Sequence, residues 1–165
     1  MTYGVEGLLP LLTLLAALGC GLMAGVFFAF SAFVMKALAR LPQGEGIAAM
    51  QSINVTVINP WFLGVFLLTA AACVFLIVTS LLGWDEQPGA VYLLAGGALY
   101  FVGTFLVTVI FNVPRNNALA ALGRADPRGA NLWPHYVWSW TAWNHVRTVS
   151  ALAAAAVLTL ALMRA

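Results

Sequence analysis

The run Trp140-Thr141-Ala142-Trp143-Asn144-His145-Val146-Arg147-Thr148 holds the side chains of this sequence best suited to chemistry. On a helix, Trp140, Trp143, Asn144 and Arg147 recur at i, i+3, i+4 and i+7 and so share one face, with Thr141, His145 and Thr148 on the adjoining strip. Two indoles beside an amide, a guanidinium and an imidazole could hold a flat aromatic ligand. The rings would be held by stacking and the ligand's oxygens by hydrogen bonds. The plainer reading is a helix anchored by its tryptophans at the headgroups, with Arg147 snorkelling to lipid. A simple anchor needs neither Asn144 nor His145, and those two residues tilt the balance towards a site. Imidazole is also the side chain that ordinarily titrates near neutral pH, as a general base should.

Other candidate ligand groups lie elsewhere in the chain: Gln51, Asn54, Asn59, Asn112, Asn116 and Asn117. A metal centre is not expected. His135 does not fall on the same helix face as His145, and no acidic residue is near either in sequence. Haem or copper could take His145 as a single ligand, but no cofactor is predicted. Cys20 and Cys73 each sit inside an apolar stretch without the spacing of a metal or redox pair, and read as core residues.

The elements that must position these groups are membrane helices. Of 165 residues, 63% are hydrophobic and only 7% charged, against roughly a quarter charged in a soluble domain. The formal charge of +2 is too small and too scattered for nucleic-acid binding. The apolar pattern predicts an all-α, integral membrane four-helix bundle in one domain, 1–165, with helices over about 8–38, 61–82, 90–113 and 135–163. The first is not a cleaved signal: Glu6 precedes it where a positive charge is wanted, and it outlasts a signal's apolar stretch of about 7–15 residues. At roughly 45 Å it also exceeds a hydrocarbon core of about 30 Å, so it must tilt or project.

Gly21 and Gly25 have the spacing that lets helices approach closely, either within the chain or in a homo-oligomer. Asn59-Pro60 should cap and start the second span, Pro114 should end the third, and an amphipathic stretch should cover Ile47 to Ile58. Lys36, Arg40, Arg115, Arg124, Arg128 and Arg147 fall after helices one and three or at the start of helix four. Asp85 and Glu86 lie between helices two and three. The basic bias puts both termini outside and all the polar candidates at the cytoplasmic face of the cell membrane. No span carries a mid-membrane acid, so a transporter or channel is not expected.

In order along the chain come Phe33-Val34-Met35 with Ala37-Leu38, then Met50-Gln51-Ser52-Ile53-Asn54 and Asn59-Pro60. Asn112-Val113-Pro114 with Asn116 and Trp143-Asn144-His145-Val146-Arg147-Thr148 follow. This set resembles the anthrone oxygenase-like family of small four-span membrane proteins, long catalogued as a domain of unknown function. Lys36 stands where the family pattern would have proline. The resemblance implies a membrane oxidoreductase, a monooxygenase that oxidises anthrones to anthraquinones with dioxygen and no obvious cofactor. An anthrone's CH2 is acidified by its carbonyl, and its anion can reduce dioxygen directly. The protein then needs a base and donors for the developing enolate oxygen. On this reading His145 is the base, and Asn144, Arg147, Asn54 or Asn112 are donors. Trp140 and Trp143 stack on the rings, and Gln51, Asn59 and Asn116 complete the substrate site. The expected partners are membrane lipid and a small hydrophobic aromatic molecule. The rival expectation is a non-catalytic protein that binds a hydrophobic ligand, lipid or partner subunit, its asparagines capping helices.

Overall fold

The computed structural model describes residues 7–84, 89–123 and 126–164. The acidic turn at Asp85 and Glu86, together with Glu6 and Arg124, lies outside the described residues. The described residues form five helices, and no strand occurs among them. We number these α1 (Leu8–Leu38), α2 (Gln43–Thr56), α3 (Pro60–Leu82), α4 (Ala90–Ala120) and α5 (Gly129–Leu162). All but α2 are long and apolar enough to cross a membrane. α1 packs most extensively against α5, α5 against α4, α4 against α3, and α3 back against α1, which closes a four-helix ring.

Outward positions carry exposed leucines such as Leu15, Leu18, Leu22, Leu68 and Leu152. Because lipid is as apolar as the core, burial alone does not hold such helices together, and close packing and hydrogen bonds do. Close approach occurs at Gly19 against Thr69, Gly96 against Leu158, Gly97 against the Cys73 carbonyl and Gly103 against Ser150. Gly21 and Gly25, whose spacing predicts a helix contact, instead have open space where a side chain would project. They face away from the other helices of the chain. Cys20 and Cys73 are fully buried in the central apolar core.

A second apolar cluster closes one end of the bundle: Met35 and Leu38 from α1, Ile47 and Met50 from α2, Leu119 from α4, and Trp133, Tyr136 and Trp140 from α5. The stretch predicted over Ile47 to Ile58 is mostly α2, which starts earlier, at Gln43, and ends at Thr56; it lays Ile47 and Met50 across that end but leaves Val55 exposed, so its apolar residues are not gathered on one face. Asn59 caps α3 as its sequence suggests, its Oδ1 accepting from the Trp61 and Phe62 amides at 3.1 and 3.0 Å.

Two helix ends depart from expectation. α4 runs past Pro114 to Ala120 instead of stopping at Val113. Proline removes an i→i−4 bond and crowds the preceding turn, but here the preceding residues, Thr108–Asn112, are already wound as a π turn. Pro114 therefore opens a fresh α segment, where proline is tolerated. The Phe111 carbonyl accepts from Arg115 Nη1 at 2.6 Å. α5 starts at Gly129 instead of about 135, with Pro134 inside it. The carbonyl that Pro134 leaves unpaired belongs to Ala130, which is exposed and can be solvated. Ahead of α5, Arg128 and its backbone amide hydrogen-bond the Asp126 carboxylate and hold it below the usual carboxylate range.

Candidate functional site

The buried polar centre of the bundle is Asn144 with Arg147, on the face of α5 that meets α1 and α4. Asn144 is completely buried and Arg147 is 5% exposed. Asn144 Nδ2 donates to the Phe27 carbonyl and to Ser31 Oγ, each at 2.6 Å, and Asn144 Oδ1 accepts from Arg147 Nη2 at 2.6 Å. Arg147 Nη1 donates to Thr108 Oγ1 at 3.3 Å. The guanidinium carbon lies 4.3 Å from the Phe27 ring centroid and 4.9 Å from that of Trp140.

Among the described residues no carboxylate pairs with Arg147, and the ion pair found there is Arg128 with Asp126. A buried cation without a counter-ion is costly, and two aromatic faces, an amide oxygen and a hydroxyl stand in for one. Two polar atoms here have no protein partner, Arg147 Nε and Asn112 Oδ1.

The backbone around this pair is unusual in a matching way. α1 is π-wound over Phe30–Val34, which includes Ser31. α4 is π-wound over Phe101–Leu106 and Thr108–Asn112, which include Thr104, Thr108 and Asn112. Such turns widen a helix, disturb its i→i−4 ladder and concentrate at functional sites. Four side-chain hydrogen bonds tie these segments to α5: Ser31 with Asn144, Thr108 with Arg147, Asn112 Nδ2 to the Trp140 carbonyl at 3.3 Å, and Thr104 Oγ1 to the Arg147 carbonyl at 3.4 Å.

On the outer side of the same helix pair lies a groove of about 720 Å³ between the end of α1 and the first half of α5. Its lining is mostly apolar and includes Trp133 and Trp138, with polar groups from Ser31, Lys36, Thr141 and His145. Its volume falls in the range of small-ligand sites, and it is open along one side. Thr141 Oγ1 is buried and unpartnered. Ser31 belongs to both places: its oxygen accepts from Asn144 on the core side while the residue lines the groove.

The structure keeps one helical face together and sets His145, on the adjoining strip, apart. Asn144, Arg147 and Trp140 turn inward, whereas His145 is exposed along the groove, which Ser31 also lines. Trp143 stacks on Phe111, with ring centroids 3.5 Å apart. Trp140 donates from Nε1 to Asn116 Oδ1 at 2.9 Å, an oxygen shared with the Tyr136 hydroxyl. Gln51 Nε2 donates to the Leu119 and Leu122 carbonyls at 2.8 and 3.0 Å, closing the end of α4. The Asn59 side chain is occupied as a cap. Asn54 keeps a buried, unpartnered Nδ2. Sequence spacing missed Ser31, Phe27, Thr104 and Thr108. For Ser31, Thr104 and Thr108 the signal was present as hydroxyls inside otherwise apolar spans, with Thr104 and Thr108 in i, i+4 spacing; Phe27 carried none.

No curated protein and no solved structure matches the chain. The family description "Anthrone oxygenase" matches residues 56–157, from the last residue of α2 through most of α5. That stretch contains Asn112, Asn144, His145 and Arg147 and leaves α1, with Ser31 and Lys36, outside it. With its four apolar helices and an Asn–Arg pair buried between them, the chain belongs to the anthrone oxygenase family.

Proposed function

We propose that the protein is a multi-pass enzyme of the cell membrane that uses dioxygen to oxidise a flat, hydrophobic phenolic substrate held in the groove between α1 and α5. The observation that carries this reading is that an exposed His145 and the buried Ser31 line one groove, with Ser31 Oγ joined through Asn144 to a buried cation. An apolar substrate reaches the groove from the lipid and lies against Trp133 and Trp138. His145 takes a proton from the activated CH2. The Ser31 hydroxyl donates to the forming enolate oxygen. Asn144 donates into Ser31 Oγ and Arg147 into Asn144, so positive charge is relayed towards the developing anion. The carbanion then reduces dioxygen. The CH2 becomes C=O with one oxygen atom, and the other leaves as water with the two hydrogens.

The test is oxygen uptake by the purified protein given an anthrone, with quinone formation followed by absorbance. His145→Ala is expected to abolish turnover while the bundle melts as the wild type does, since His145 is exposed. Full turnover in that variant removes His145 as the base, and no uptake by the wild type removes the oxygenase. A second reading, a ligand-binding protein without chemistry, draws support from Gln51 and Asn59. Both side chains are spent on helix ends.

A further inference from the structure

We propose that the groove selects substrates that carry an anionic substituent, a carboxylate on the flat ring system, and that Lys36 is the residue that recognises it. The inference rests on the groove being the substrate site and adds the chemical class that it takes. The first observation is the sign of the lining. Lys36 and His145 are its titratable side chains, and no carboxylate lines it. Lys36 is exposed and makes no ion pair among the described residues. Behind the wall lies a second positive charge, Arg147, joined to the lining through Asn144 and Ser31. An apolar slot with one cation on its wall, a second behind that wall and no anion in its lining favours a ligand that is apolar along its body and negative at one end.

The second observation is how the backbone presents Lys36. Ser31 and Lys36 are five residues apart, a spacing that puts side chains about 140° apart around an α-helix. Here both line one groove, and the π turn over Phe30–Val34, which begins just before Ser31 and ends two residues before Lys36, takes up one extra residue and narrows that angle. The turn thus aligns the hydroxyl offered to the substrate's reacting oxygen with an ammonium further along the same wall. A lysine meant only for headgroups needs no such alignment, since its long stem reaches the interface from many positions.

The same ammonium could meet a carboxylate on a substrate or the phosphate of an acidic lipid, and the experiment separates them. The full chain is placed in phosphatidylcholine nanodiscs and titrated with anthracene-2-carboxylate and with anthracene-2-carboxamide, following anthracene fluorescence anisotropy. The two probes share a ring system and differ in charge. The carboxylate is expected to bind about tenfold tighter, as suits a charge-assisted contact. That advantage should disappear in Lys36→Met and persist in Lys36→Arg.

Equal affinity for the two probes, or an advantage that survives Lys36→Met, overturns the anion preference and leaves the groove reading standing. Binding of neither probe overturns the groove reading as well. Displacement of bound carboxylate by a few per cent phosphatidylglycerol assigns Lys36 to lipid phosphate and overturns the substrate assignment. Retention of the carboxylate under that challenge supports it.

Discussion

Asn144→Leu is the substitution that most directly tests whether the buried pair holds the bundle together. The wild-type amide closes one bond from a guanidinium and two to α1. A hydrogen bond to a charged group contributes about 1.5–3 kcal/mol and a neutral one about 0.5–1.5 kcal/mol. Interhelical bonds inside membranes average nearer 0.6 kcal/mol, since the unfolded helices find other partners. A loss of about 3 kcal/mol follows, most of it from stripping the acceptor from a cation that has no carboxylate to turn to. Adding Arg147→Met removes that stranded charge. Replacing both members of a buried polar pair by apolar groups is often close to neutral. The double variant should therefore recover to within about 1 kcal/mol of the wild type, so the two substitutions couple by about 2 kcal/mol or more. The assay is unfolding in mixed micelles by added SDS, read from the fluorescence of the six tryptophans. A single-variant loss below about 0.5 kcal/mol, or a double variant as weak as the two single losses summed, would refute the account.

Ser31→Ala should lower kcat about a hundredfold with little change in KM, the effect of removing a donor to a developing oxyanion. Melting should hold because Asn144 keeps the Phe27 carbonyl; an unchanged kcat would take Ser31 out of the chemistry. Gly19→Ala and Gly21→Ala make a matched pair two positions apart. The first methyl overlaps Thr69 Oγ1 and should cost about 1–3 kcal/mol. The second meets nothing within 4 Å and should be neutral or slightly stabilising, as the same SDS titration will show.

The fold class was legible because hydrophobic runs of membrane length have few other uses, and the cap at Asn59 because Asn-Pro before an apolar run is a local signal. What could not be read locally was winding. Pro114 reads as a stop unless the π turn before it is known, so α4 came out short. The same limit applies to the candidate site. A period of 3.6 placed Trp140, Asn144 and Arg147 together on α5 correctly, because that stretch is regular helix. It had no means of placing Ser31 or Thr108 opposite them, since those lie on π-wound backbone in other helices. His145 and Asn144 are neighbours in sequence and part company in space, because adjacent helical residues point about 100° apart. The glycine pair at 21 and 25 has the right spacing, but which face of α1 meets a neighbour is a tertiary matter, and here it is the face of Gly19.

The π turn of α1 also bears on how such a site can be gained or lost. A π turn is an α-helix that has absorbed one extra residue. Deleting a single residue between Ser31 and Val34 would return α1 to ordinary winding. Ser31 and Lys36 would then be four residues apart, about 40° around the helix, and both would keep their place on the wall. The same deletion in the regular helix just after Val34 would instead rotate everything beyond it by about 100° and shift it by about 1.5 Å. That would carry Lys36 out of the groove. The turn therefore marks the one place in α1 where a residue of chain length can be lost without re-aiming the residues that follow.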